Sequence, residues 1–272
     1  MLQKAEYGIA DCYYRLGLEK EALSQFKLLR AKYPASKFTP EIIWWLGQYY
    51  YQHNNLNMAG RYFSSLTRDF PDSNLAGDAF YALGLTFSDE GRFEQAEDNF
   101  VKAIKHGNTQ IRTQAVAALG DVYSRLGKAS EALAAYNEIV KDNPNLGKLF
   151  FPRIAEAYYK VQDYEGAKLF YSKSLEVAEA KEISDIRFSL AEVLEAKAEF
   201  DAAIQQYLLA ADFYPVAGQL FVRALLRAAK LYEDQENFKE ALKIYKRIIE
   251  KGTAEAGFAQ ERVEWIKGVL KK

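Results

Sequence analysis

Histidine and cysteine are scarce in this chain, and each scarcity excludes something. Two histidines, His53 and His106, are too few for a histidine-rich metal site, and neither HExxH nor CxxC spacing occurs. One cysteine, Cys12, rules out a disulfide within the chain, which suits the cytoplasm and equally a periplasmic fold that needs no staples. Cys12 lies between Asp11 and Tyr13 with no Lys, His or obvious base beside it, so it reads as a packed thiol. No apolar stretch precedes it to make it a lipoprotein cysteine. No apolar run approaches the ~18 to 20 residues of a membrane span, and Leu2-Gln3-Lys4-Ala5-Glu6 is no signal peptide, so direct membrane insertion is not expected. Charge of one sign is missing too: 36 basic side chains face 37 acidic ones, and the net charge of -1 exerts no global pull on nucleic acid. Gly127-Lys128-Ala129-Ser130 lacks the upstream Gly of a phosphate loop, and Lys128 is not followed directly by Ser or Thr, so it reads as a turn. Residues for catalysis or for a cofactor are therefore absent, and a non-enzyme is expected.

What the chain has is aromatics, 19 Tyr and 17 Phe, and they recur. An Ala is followed four residues later by an aromatic at Ala22/Phe26, Ala59/Phe63, Ala96/Phe100, Ala132/Tyr136, Ala167/Tyr171, Ala203/Tyr207 and Ala241/Tyr245, at intervals of 35 to 38 residues. A period near ~34 with two helices per unit predicts a stacked solenoid, in which each unit buries its apolar face against its neighbours. The length would otherwise suggest about two domains on a ~150-residue scale, but a solenoid extends one core, and a single domain over 1–272 is expected.

In each unit the first helix carries a large aliphatic, a small residue and then an aromatic: Ile9-Ala10-Tyr13, Leu46-Gly47-Tyr50, Leu83-Gly84-Phe87, Leu119-Gly120-Tyr123 and Ile154-Ala155-Tyr158, with Leu190-Ala191-Leu194 and Ala228-Ala229-Tyr232 as variants. These positions share one helical face. The small residue precedes the ladder Ala by twelve, which predicts two Cβ-poor spots meeting where paired helices cross. Gly17, Asn54, Gly91 and Gly127 suit a left-handed turn between helices, while Gln162, Ala198 and Glu236 occupy the same place later. Pro34, Pro71, Pro144 and Pro215 should stop second helices, Thr39-Pro40 reads as a cap and first-turn proline, and Pro152 should delay or bend its helix.

Small residues at both crossing points, a Tyr ending the first helix, Ala then Phe/Tyr in the second and Pro after it resemble the tetratricopeptide repeat (TPR) family. The resemblance covers nearly the whole chain, with repeats at about 4–38, 41–75, 78–111, 114–147, 149–182, 185–219 and 223–253. A closing helix at 254–272 would turn Phe258, Val263, Ile266 and Leu270 inward, with Glu261, Arg262, Glu264 and Lys267 elsewhere. Tyr33-Pro34-Ala35-Ser36 and Phe70-Pro71-Asp72-Ser73 are similar to bacterial cell-envelope members, such as outer-membrane assembly lipoproteins and the Tol-Pal-associated periplasmic protein. The first repeat is already helical by residue 5, which leaves open a longer protein and a periplasmic address beside the cytoplasmic one.

The resemblance implies an all-α, right-handed solenoid whose first helices line a concave groove for a peptide or a partner's helix. Groove places would hold Tyr7, Asp11 and Tyr14, then Trp44, Gln48 and Tyr51, then Tyr81, Leu85 and Ser88. Beyond these come Asp121 and Ser124, Glu156 and Tyr159, Glu192 and Glu195, and Lys230 and Glu233, an acidic continuation. The Lys and Asn with which some members clamp the acidic tail of heat-shock chaperones are absent from these places. The expected function is a non-catalytic scaffold for a protein or peptide partner. Self-association is the main alternative. RNA binding would need a basic groove, whereas Lys243, Lys246 and Arg247 fall on a second helix.

Overall fold

The computed structural model describes residues 2–213 and 219–271, and Pro215 lies outside them. Helices α1 (Leu2–Arg15) and α2 (Glu19–Lys32) form the first pair, followed by α3 (Thr39–Gln52) with α4 (Leu56–Asp69), α5 (Ala76–Asp89) with α6 (Phe93–His106), and α7 (Thr109–Arg125) with α8 (Ala129–Asp142). Then come α9 (Gly147–Lys160) with α10 (Tyr164–Val177), α11 (Ile183–Ala196) with α12 (Phe200–Phe213), and α13 (Gln219–Asp234) with α14 (Phe238–Glu250), before the closing α15 (Ala256–Val269). Among the described residues there is no strand, and no helix is long and apolar enough to cross a membrane. The chain divides into two compact units, Met1–Ile139 and Val140–Lys272. In the first, consecutive helices from α1 to α7 pack in order, and α5 also touches α7. In the second, α9 to α15 do the same, with α11 touching α13. Neighbour-only packing is what a helical repeat requires.

The ladder forms the core. All seven of its alanines are 0% exposed and its seven aromatics no more than 7%, so truncating a ring such as Phe63 should cost about 3 to 5 kcal/mol. Where the paired helices cross, the glycine of the first helix lies against the ring of the ladder aromatic: Gly47 faces Phe63, Gly84 faces Phe100 and Gly120 faces Tyr136. The missing Cβ makes room for an aromatic face, which needs more space than a second small residue.

Every predicted turn residue adopts positive φ: Gly17, Gly91 and Gly127 at 74°, Asn54 at 57°, Gln162 at 62°, and Ala198 and Glu236 at 59°. Pro34 and Pro71 follow the ends of α2 and α4, and Pro144 opens a 3₁₀ turn (Pro144–Leu146) after α8. The Pro-x-Ser segments fold as one repeated turn, in which Ser36 Oγ accepts from the Phe38 N–H and Ser73 Oγ from the Leu75 N–H, both at 3.2 Å. Thr39 is not a cap: it is the first helical residue, buried, and its hydroxyl donates to the Tyr33 carbonyl at 2.9 Å. Pro152 does not delay its helix either, since α9 begins at Gly147 and continues through it.

The closing helix buries Ala259, Val263 and Ile266, spaced i, i+4, i+7. Phe258 and Leu270, expected inside, are exposed, and Arg262, expected outside, is half-buried on Glu233. Cys12 is exposed rather than packed, because it shares the open face of α1 with Ile9 and Leu16.

Candidate functional site

Trp44, Gln48 and Tyr51 lie at i, i+4 and i+7 of α3, and Asp78, Tyr81 and Leu85 at i, i+3 and i+7 of α5, so each trio shares one helical face. With Gln110 and Gln114 of α7, these two faces wall a recess of about 340 Å³ in the first unit. Five of the twelve expected site residues, Trp44, Gln48, Tyr51, Tyr81 and Leu85, thus converge. The chemistry of the recess is apolar in its floor and amide in its rim, with Gln48, Gln52, Gln110 and Gln114 on the lining. Asp78 is the single ionisable carboxylate of the lining, which holds no lysine or arginine. Burial lifts its carboxyl above the usual aspartate range, only partly offset by a backbone hydrogen bond.

The walls are pre-set. Trp44 packs on Phe63 with centroids 5.4 Å apart, so it belongs to the core as well as to the lining. Tyr81 leans on Phe100 at 5.8 Å, and its phenol is pushed up by burial and then by Asp121. Tyr51 donates to Asp89 Oδ2 at 2.5 Å; burial first and this bond second raise its pKa, keeping the phenol protonated.

Other expected groove residues are placed differently. Tyr7 stacks on Phe38 at 4.9 Å and meets Phe26 edge-on, so it packs within the first repeat. Asp11 pairs with Arg15 at 2.7 Å. Tyr14 stands edge-on to Trp45 in a shallow adjoining cleft that also reaches Gln48. Asp121 accepts from the Tyr136 hydroxyl at 2.7 Å.

In the second unit the acidic line is answered by cations. Glu156 pairs with Lys160 at 2.8 Å and Glu195 with Arg227 at 3.4 Å, while Tyr207 donates to Glu195 at 2.8 Å. Glu192 is raised by burial, with Arg227 and Arg223 pulling the other way. Tyr159 is raised by burial and then by Glu192, and Tyr171 is pushed up to about 12, chiefly by burial. Glu233, expected in the groove, is instead buried and held by Arg262 of α15. Arg223 and Arg227 escaped sequence reading because they recur on α13 one turn apart, off the single line used to pick groove places.

Asp78, Gln110 and Gln114 were also missed. Gln110 sits on the first turn of α7 and Gln114 one turn further on; the helix starts at Thr109 after Asn108, whose side chain caps it by accepting from the Ile111 N–H at 3.0 Å. That Asn-Thr pair was the available signal. Among the described residues no group of three or more His, Cys, Asp or Glu side chains could hold a metal ion.

Comparison with known proteins agrees with the helical-repeat fold. Residues 4–36 and 223–251 match one tetratricopeptide repeat model, and residues 81–146 match another. No curated protein sequence matches. The chain is similar to the crystal structure of a tetratricopeptide repeat protein from Parabacteroides merdae ATCC 43184, with TM-score 0.60 and 13% identity over 97% of this chain and 98% of that one. The C-terminal part of a TPR repeat-containing protein from Cytophaga hutchinsonii superposes with TM-score 0.71 at 19% identity, covering 89% of this chain and 94% of that chain. PilF of Pseudomonas aeruginosa follows with TM-score 0.55 and 20% identity over 77% and 90%. At these identities the likeness is one of fold.

Proposed function

This chain is a tetratricopeptide repeat protein, and we propose from that premise that it is a non-catalytic scaffold whose first-unit recess holds a side chain from an extended segment or helix of a protein partner. The observation that carries this reading is the convergence of Trp44, Gln48 and Tyr51 with Asp78, Tyr81 and Leu85 around one apolar recess. Half-buried aromatics fixed by their own packing lower the entropy lost on capture, and Trp and Tyr are favoured anchors of interfaces. The amide rim suits the backbone of an extended chain. Asp78, unpaired by any cation in the lining, favours a basic residue next to the apolar anchor.

Peptides selected on the intact protein from a random display library test this. They should carry an apolar anchor beside Lys or Arg, and Gln48→Arg should weaken them about tenfold or more while leaving the melting temperature in place, because Gln48 is exposed. Trp44→Ala should weaken binding and lower stability together, since it also removes the contact with Phe63. Selected peptides indifferent to Gln48→Arg would place the binding surface elsewhere.

Membership of a bacterial cell-envelope complex rests on the Tyr33–Ser36 and Phe70–Ser73 segments alone, and fractionation of native cells tests it. Self-association is a second reading, favoured by the exposure of Ile9 at 52% where its counterparts Leu46, Leu83, Leu119, Ile154 and Leu190 are buried.

A further inference from the structure

A second and larger cavity, about 570 Å³, opens on the second-helix side of the first unit, away from the recess residues. Its lining brings together four arginines from three segments: Arg30 of α2, Arg61 and Arg68 of α4, and Arg92 in the turn before α6. Glu90 is the one carboxylate of the lining, and it pairs with Arg92 at 2.8 Å; Asp69, beside the cavity, pairs with Arg68 at 2.8 Å. Cations therefore outnumber carboxylates here, in a chain whose net charge is -1.

Two of the four arginines are braced. The Arg30 guanidinium lies 4.9 Å from the centroid of Tyr62, and that of Arg92 lies 4.4 Å from Phe87. Tyr62 is in turn stacked on Tyr50 at 5.6 Å, with Lys27 Nζ 5.4 Å from that ring. A guanidinium laid on a ring has its orientation fixed before a ligand arrives; Arg92 spends Nε on Gln95 and one terminal nitrogen on Glu90, which leaves its other terminal nitrogen for a ligand. Arg30 reaches Ser65 Oγ only at 3.5 Å, and Arg61 makes no hydrogen bond or ion pair among the described residues. Arg68 and Arg92 are thus partly answered from within the protein, by Asp69, Glu90 and Gln95, while Arg30 and Arg61 bring donors to the lining that it scarcely answers.

We propose that this cavity binds a phosphoryl group through Arg30, Arg61, Arg68 and Arg92. A single carboxylate adds one charge, and Arg68 and Arg92 already have one each. A phosphoryl group brings about two charges and three acceptor oxygens, which matches several forked donors at once. Recognition works through charge and hydrogen bonds rather than base stacking, because the rings of Tyr62 and Phe87 already carry arginines. The inference is independent of the first-helix recess and stands or falls apart from it.

The phosphoryl group can belong to a small phosphate ester or to a phosphorylated side chain, and the experiment separates these sources. Calorimetric titration of the intact protein with inorganic pyrophosphate, at constant ionic strength against sodium chloride, measures the small-molecule arm. A phosphoserine peptide and its glutamate analogue measure the other. Arg61→Gln, which removes no internal contact, should weaken the phosphorylated probe about tenfold with an unchanged melting temperature, and Arg30→Gln should weaken it by a similar factor while lowering the melting temperature slightly, because it also gives up the Tyr62 ring. Gln48→Arg, in the recess, should leave this binding as it is. Pyrophosphate binding alone assigns the site to a small ester, and displacement of the phosphopeptide by pyrophosphate assigns it to a modified partner. Absence of binding by either probe, equal binding of the glutamate analogue, or affinity indifferent to Arg61→Gln and Arg30→Gln would overturn the proposal.

Discussion

Gly84 of α5 lies against the ring of Phe100 of α6: a Cβ added to Gly84 would come within 2.6 Å of the ring's Cε1. Helix propensity favours Ala over Gly by about 1 kcal/mol, but overpacking a filled site costs about 1 to 3 kcal/mol. Gly84→Ala should therefore destabilise by roughly 1 kcal/mol despite its better propensity. Gly60 of α4 gives the opposite sign, since a Cβ there meets Thr86 Cγ2 at 3.7 Å, an ordinary contact. Gly60→Ala should stabilise by about 0.5 to 1 kcal/mol. Urea unfolding of both variants checks the pair, and a shared sign would refute the packing argument.

Left-handed turns give a second pair of opposite signs. Gly91 and Ala198 hold equivalent places at φ 74° and 59°. A side chain in this region costs about 1 to 2 kcal/mol, of which the greater unfolded-state freedom of glycine takes back about 0.4 to 1. Ala198→Gly should gain up to about 1 kcal/mol and Gly91→Ala should lose a similar amount. Equilibrium denaturation of the two variants measures both.

The repeat was legible because a strict period constrains it: each ladder Ala and aromatic sits against its own neighbours, so one residue pair per repeat reports a buried contact. Turn places were legible even where Gln162, Ala198 and Glu236 replaced glycine, since position in the repeat outweighed residue type. Groove places were legible only in part. Spacing put Trp44, Gln48, Tyr51, Tyr81 and Leu85 on one surface, but it could not tell that Tyr7 would be stacked on Phe38 or that Glu233 would be covered by α15. Those outcomes depend on what packs over a face, which a position along one helix does not encode. Arg30, Arg61, Arg68 and Arg92 are scattered over three segments, and only the packing of α2, α4 and the turn before α6 gathers them.

Glu192 predicts a pH dependence. Burial raises its carboxyl above the ordinary 4.5, more than Arg227 and Arg223 lower it. Between 4.5 and the raised value the native chain binds more protons than the unfolded chain, so the contribution of Glu192 to stability falls as pH rises through that window. Glu192→Gln removes the effect. The variant should be more stable than the parent at pH 7, and the difference should close below about pH 4, where both side chains are neutral. Thermal melts across this range read it directly; a gap that widens in acid would show that the ion pairs, not burial, dominate at Glu192.

Ile9 is solvent-exposed on a stripe that also carries Leu2, Ala5, Cys12 and Leu16, all exposed and spaced three and four residues apart along and just beyond α1. Such spacing is the seam of a helix pair, and a second copy offering the same stripe would cover it by a two-fold contact. Light scattering should show a mass that rises with concentration toward two chains, and Ile9→Lys with Leu16→Lys should hold it at one. Fold stability should change by less than about 0.5 kcal/mol in that double variant, because neither side chain is buried in a single chain. Cys12, the sole thiol, supplies an independent readout: mild oxidation should trap a covalent dimer in the parent and much less of it in the double variant. One-chain mass at every concentration would rule out association through α1.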